Sequence, residues 1–155
     1  MKLAAAALAA FIAFPAAAAD ETLMYEHGAW SVSLVDWDDG TLSCRAGSET
    51  DDTKMRVWAD SWNETLNFQF VASGWDFTPS EGTIFVDIDY QRYEAPATFD
   101  GGSIFVTDLS AEFMRHFKRG SAIALFDEYG RRVMTYSLSG TSAVTDALLE
   151  CWRML

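Results

Sequence analysis

From Gly28 onward, apolar and polar residues alternate with a period of two over most of the chain. That pattern predicts strands with one buried face. "AWSVSLV" sets Trp30, Val32 and Leu34 on one side, "DWDDG" (36–40) is turn chemistry, and "TLSCRA" returns as the second strand of a hairpin, with Leu42, Cys44 and Ala46 together. "GSETDDT" (47–53) predicts an acidic loop, "KMRVWA" a short strand and "DSWNE" a turn. In "TLNFQFVAS", Leu66, Phe68, Phe70 and Ala72 oppose Thr65, Asn67, Gln69 and Val71. "GWDFTPSEG" breaks the alternation with Gly74, Pro79 and Gly82, and predicts a loop. "TIFVDIDYQRY" reads as one half-buried strand, with Ile84, Val86, Ile88 and Tyr90 against Phe85, Asp87, Asp89 and Gln91.

"ATFDGGSIFV" predicts two short strands around Asp100-Gly101-Gly102. The period then changes. Leu109, Phe113, Met114 and Phe117 form a helical stripe, Asp108 or Ser110 can cap it, and Lys118, Arg119 and Gly120 end it. "SAIALFDEYGRRVMTYSL" is a hairpin turning at Asp127–Gly130, and "TSAVTDALLECWRML" is a final helix. About eight strands with two helices in the last third define a mainly β or α+β domain. A twisted antiparallel sheet or compact β-sandwich with a helix packed on one side is expected.

The first 19 residues stand apart from this pattern. Lys2, an apolar run from Leu3 to Phe14, Pro15 and Ala17-Ala18-Ala19 have the n-, h- and c-regions of a secretory signal peptide. Cleavage after Ala19 leaves residues 20–155 as one β-rich domain, periplasmic or secreted, and no later apolar run is long enough to span a bilayer. The chain has a formal charge of −12, and loss of Lys2 makes it one unit more negative. Such a surface repels nucleic acid and anionic membranes and fits neutral or cationic partners, while the plainer reading is that it keeps an exported domain soluble.

Export changes the meaning of the two cysteines, because thiols pair and stay paired outside the cytosol. Cys44 shares a strand face with Leu42 and Ala46, and Cys151 shares a helix stripe with Val144, Ala147, Leu148 and Leu155. Both point inward, so a Cys44–Cys151 staple between an early strand and the last helix is expected. The alternative is two separate buried thiols.

Candidate chemistry is sparse. His27 and His116 are the only histidines, with no H-E-x-x-H or C-x-x-C, so no metal site or cofactor is expected. Asp36, Asp38 and Asp39, helped by Asp51 and Asp52, could make an ad hoc calcium site, but Gly40 falls at the wrong position for an EF-hand; a solvated acidic turn is the plainer reading. Asp87 and Asp89 share a strand face, as acid/base pairs can, although Gln91 beside them marks that face as wet. There is no G-x-S-x-G and no serine with an evident histidine and acid. Trp58, Trp62, Trp75 and Phe77 are the candidate binding surface, since a flat apolar ring can stack on a sugar or anchor a protein partner; the core would otherwise claim them.

"AWSV", Cys44 after it, and "VMTYSLSG" running into "AVTDALLEC" resemble the invasion-associated locus B family of exported bacterial proteins. The chain departs from that family in having only two cysteines. The resemblance implies a periplasmic β-rich domain without catalytic residues, engaged in envelope or host-surface interaction. The expected function is thus a non-enzymatic binding or adaptor domain, monomeric or weakly associating, whose partner is an envelope protein or a glycan. Two alternatives stand beside it. One is a small periplasmic hydrolase or carbohydrate-acting protein using Asp87 and Asp89; the other is an inhibitor of an envelope enzyme with "GWDFTPSEG" as its wedge.

Overall fold

The computed structural model describes residues 19–61 and 66–155. The predicted signal peptide, up to Ala18, lies outside the described residues, as does Trp62. The strands are β1 (Ala19–His27), β2 (Trp30–Trp37), β3 (Leu42–Glu49), β4 (Thr53–Asp60), β5 (Leu66–Ala72), β6 (Phe77–Ile88), β7 (Gln91–Gly101), β8 (Ser103–Val106), β9 (Ala122–Phe126) and β10 (Arg132–Ser137). They form one antiparallel sheet in the order β1-β2-β3-β4-β5-β8-β7-β6-β9-β10. The helices are α1 (Ala111–Arg119) and α2 (Thr141–Trp152). The fold class read from the pattern is therefore the one observed, as a single open, twisted sheet.

Four departures from the predicted elements have physical causes. β1 has no clean alternation, because it is an edge strand, and a register shift between Leu23 and Tyr25 disturbs its period. The acidic loop at 47–53 contracts to a tight turn closed by Thr50 N–H donating to the Thr53 carbonyl, at 2.8 Å. "GWDFTPSEG" is not all loop: β6 begins at Phe77 and runs through Pro79, whose missing N–H is absorbed by a register shift between Phe77 and Ser80. Finally, "TIFVDIDYQRY" is two strands. Ile88 pairs with Gln91, and Asp89 and Tyr90 form the two-residue turn with φ of 47° and 73°. The Asp89 carboxylate holds that turn by accepting from the N–H groups of Ser121 and Ala122, at 2.8 and 3.1 Å.

One face of the sheet is the core. Trp30, Val32, Cys44, Ala46, Met55, Val57, Phe68, Phe70, Ile84, Val86, Ile104 and Leu125 are buried there, with Phe113 and Phe117 of α1 and Val144, Leu148 and Cys151 of α2. Phe68 meets Phe113 and Phe117 edge-on, with centroids 5.2 and 5.1 Å apart. Each such side chain contributes about 1.5–3 kcal/mol by leaving water. Ser110 caps α1 by accepting from the Phe113 N–H at 3.1 Å. Gly120, just after it, is tightly enclosed: a Cβ there would lie 2.6 Å from Ile88 Cγ2 and 2.9 Å from the His116 carbonyl.

Cys44 and Cys151 form a disulfide, with Cα atoms 6.0 Å apart across 107 residues of sequence. It fixes α2 to the middle of the β2–β3–β4 segment, and Trp152 adds a second tie by donating from Nε1 to the Asp60 carbonyl at 3.0 Å.

Candidate functional site

The opposite, outer face of the sheet carries a broad, open recess. Cross-strand partners point to the same face, so register alone assembles it. Val35, Ser43 and Asp60 lie side by side across β2, β3 and β4. Arg45, Trp58 and Asn67 form the next row, across β3, β4 and β5. Arg56, Gln69 and Phe105 form the third, across β4, β5 and β8. All of these but the buried Ser43, together with Trp37 at the end of β2 and Glu21 on β1, line a groove of about 720 Å³.

Its apolar part is aromatic. The Trp37 and Trp58 rings lie 5.9 Å apart with their planes 33° from parallel. Trp37 Nε1 donates to Ser43 Oγ at 3.0 Å, and Ser43 donates in turn to Asp60 at 2.8 Å. The second Asp60 oxygen accepts from Asn67 Nδ2 at 3.3 Å. This relay fixes the Trp37 indole through its N–H. Arg45 stacks over Trp58, with its guanidinium carbon 5.5 Å from the ring centroid, and pairs with Glu21.

Arg56 is held at its tip by Glu49, 3.1 Å away. Glu49 is held below its ordinary value by the hydrogen bond from Lys54, with burial opposing and Arg56 reinforcing. Arg56 Nε is buried without a hydrogen-bond partner, a cost the fold carries beneath the groove.

Of the four aromatics predicted as a binding surface, Trp58 is in this groove. Trp75 and Phe77 are elsewhere. They contact each other at 5.4 Å, Phe77 meets Phe99 at 5.5 Å, and the cluster packs against the edge of the core. Trp37 and Phe105 were not singled out from the sequence. For Trp37 the signal existed: with Val35 it puts two apolar residues on the β2 face opposite Trp30. Phe105 gave none, because "SIFV" is apolar on both faces.

The predicted carboxylate pair is occupied. Asp87 is bidentate to Arg92, at 2.7 and 2.9 Å, while Asp89 is the turn anchor described above. Both border a small cleft of about 210 Å³ with Tyr90, Phe126 and Arg132. Asp39 of the acidic turn accepts from the Thr41 hydroxyl and N–H, at 2.6 and 2.9 Å, and these bonds keep its carboxyl below the ordinary range. Among the described residues, no three His, Cys, Asp or Glu side chains converge as a metal site.

His116 Nδ1 and the Tyr93 hydroxyl form a short hydrogen bond between α1 and β7. Desolvation, with Glu112 nearby, raises the Tyr93 phenol above its ordinary value. Tyr93 also meets Phe113 edge-on at 5.1 Å, so the pair serves to dock the helix.

No protein-family model, no curated protein and no solved structure matches the chain.

Proposed function

We propose that this is an exported, non-enzymatic binding domain of the bacterial envelope, which receives its ligand or partner in the outer-face groove. The observation that carries this reading is the pairing of Trp37 with Trp58 on the face of the sheet that no helix among the described residues covers. Aromatic rings outside the core, edged by planar guanidinium and amide groups, are the composition of a recognition surface. Export is supported by the pattern of residues 1–19 and by the Cys44–Cys151 bond. In addition, no helix among the described residues is long and apolar enough to cross a membrane. The resemblance to the invasion-associated locus B family favours the same setting. The hydrolase reading draws less support, because Asp87 and Asp89 are both committed to structural partners.

The test is affinity capture from envelope extract with the wild-type protein and Trp58→Ala in parallel, after both are shown to unfold at the same urea midpoint. A species retained by the first and lost by the second supports the groove as the binding surface. Retention that ignores Trp58 but is lost in the Asp87→Asn/Asp89→Asn double variant would turn attention to the small cleft instead.

A further inference from the structure

We infer that the outer-face groove takes an uncharged oligosaccharide, an inference that rests on the binding-domain reading above. The first reason is topological. β2, β3, β4, β5 and β8, which form most of its floor, each have a hydrogen-bonded strand on both sides. Their backbone groups are consumed by the sheet, so an extended peptide laid across this face has no ladder to join and must satisfy its own amides through side chains. A saccharide has no such ladder to complete. It offers a C–H face to an indole and a rim of hydroxyls to planar donors and acceptors.

Charge points the same way. The lining holds two guanidiniums, Arg45 and Arg56, and two carboxylates, Glu21 and Asp60. The groove is therefore balanced within a chain of formal charge −12. A polyanion would meet both carboxylates and the acidic chain around them; a polycation would be drawn by that chain but would meet both guanidiniums within the groove itself. An uncharged chain meets neither penalty.

The groove is also set in advance. Asp60 is fixed by Ser43 and Asn67, and Arg45 by Glu21 and the Trp58 ring, so few rotamers remain to be lost on binding. Its volume of about 720 Å³ suits a short stretch of such a chain.

The experiment titrates cellohexaose, chitohexaose and maltohexaose into the disulfide-bonded protein, with indole fluorescence and calorimetry as readouts and a galacturonate hexamer as the charged comparator. At least one neutral oligosaccharide is expected to saturate below about 1 mM and to shift the indole emission. Trp58→Ala should weaken it by about ten-fold or more, whereas Trp58→Phe, which keeps an aromatic face, should retain most of the affinity. Trp75→Ala, outside the groove, should bind as wild type.

Absence of saturable binding by all three neutral chains overturns the inference, as does tighter binding of the galacturonate or wild-type affinity in Trp58→Ala. If no saccharide binds while a Trp58-dependent partner is captured from envelope extract, only the saccharide assignment falls. If neither binds, the groove is not the site and both readings fall.

Discussion

The Tyr136 hydroxyl donates to the Ser48 carbonyl at 2.7 Å, joining β10 to β3 although seven positions separate them in the sheet order. Both residues are buried. The bond shows how far the sheet curls: its last strand reaches back over the core to the third. Tyr136→Phe keeps the ring and removes this buried hydrogen bond, so a loss of about 1–2 kcal/mol is expected in urea unfolding. The groove faces the other way, and its ligand affinity should not change.

Gly120 makes a second prediction. The atoms a methyl would meet include the backbone carbonyl of His116, which cannot turn aside. Gly120→Ala should therefore cost about 1–3 kcal/mol, seen as a lower urea midpoint with an unchanged slope. Gly28→Ala is the useful contrast, since a Cβ there meets nothing within 4 Å and only its φ of 63° opposes the change.

Tyr90 should behave in the opposite sense. It is fully exposed at the tip of the β6–β7 hairpin, with a φ of 73° at the turn position that favours glycine. Tyr90→Gly is expected to raise stability by up to about 1 kcal/mol, because the left-handed strain exceeds the added freedom of the unfolded chain. A lower melting temperature in this variant would show that the ring has a contact that its exposure conceals.

How much of this was legible in the sequence follows from where period-two patterning holds. Residues 66–72 alternate with Val71 as the one apolar residue on the polar face, and β5 is as expected, as are the hairpin at Asp127–Gly130 and the α2 stripe with Cys151 inward. Asp89 and Tyr90 defeated the same reasoning, since neither is a glycine or asparagine and their alternation continues unbroken through the turn. The groove was half legible. The polar outer face of β5 was visible, but its union with Trp37 and Phe105 depends on strand order, and the jump from β5 to β8 leaves no local trace.

The disulfide gives a prediction with a clear upper bound. Closing a loop of 107 residues removes unfolded-state entropy worth at most about 4–5 kcal/mol. The Cys44→Ser/Cys151→Ser double variant should lose up to that amount and still fold cooperatively around the remaining aromatic core. Equal midpoints for reduced and oxidised protein would count against the bond as a stabilising element.

Acid should loosen one edge of the groove. Glu49 has its ordinary value of 4.5 lowered in the fold, chiefly by Lys54. Its contribution is therefore complete above the unfolded value and is lost as pH falls through the lower folded one. Glu49→Gln should lower the melting temperature at about pH 7, and the difference should shrink as pH falls through the lowered folded value; the effect is small, because the pair is half exposed. Since Glu49 also holds Arg56, ligand affinity should weaken over the same range.

The strand order also governs the sequence of events as the chain folds. β1 to β5 are successive neighbours and can zip together as soon as they emerge, with only short hops between partners. The apolar side they create stays uncovered until α1 and then α2, both later in the chain, pack onto it. A partly synthesised molecule thus carries a half-finished sheet, with the Cys44 side chain on its open side. Anything that binds the incomplete chain through apolar contacts would meet that side first.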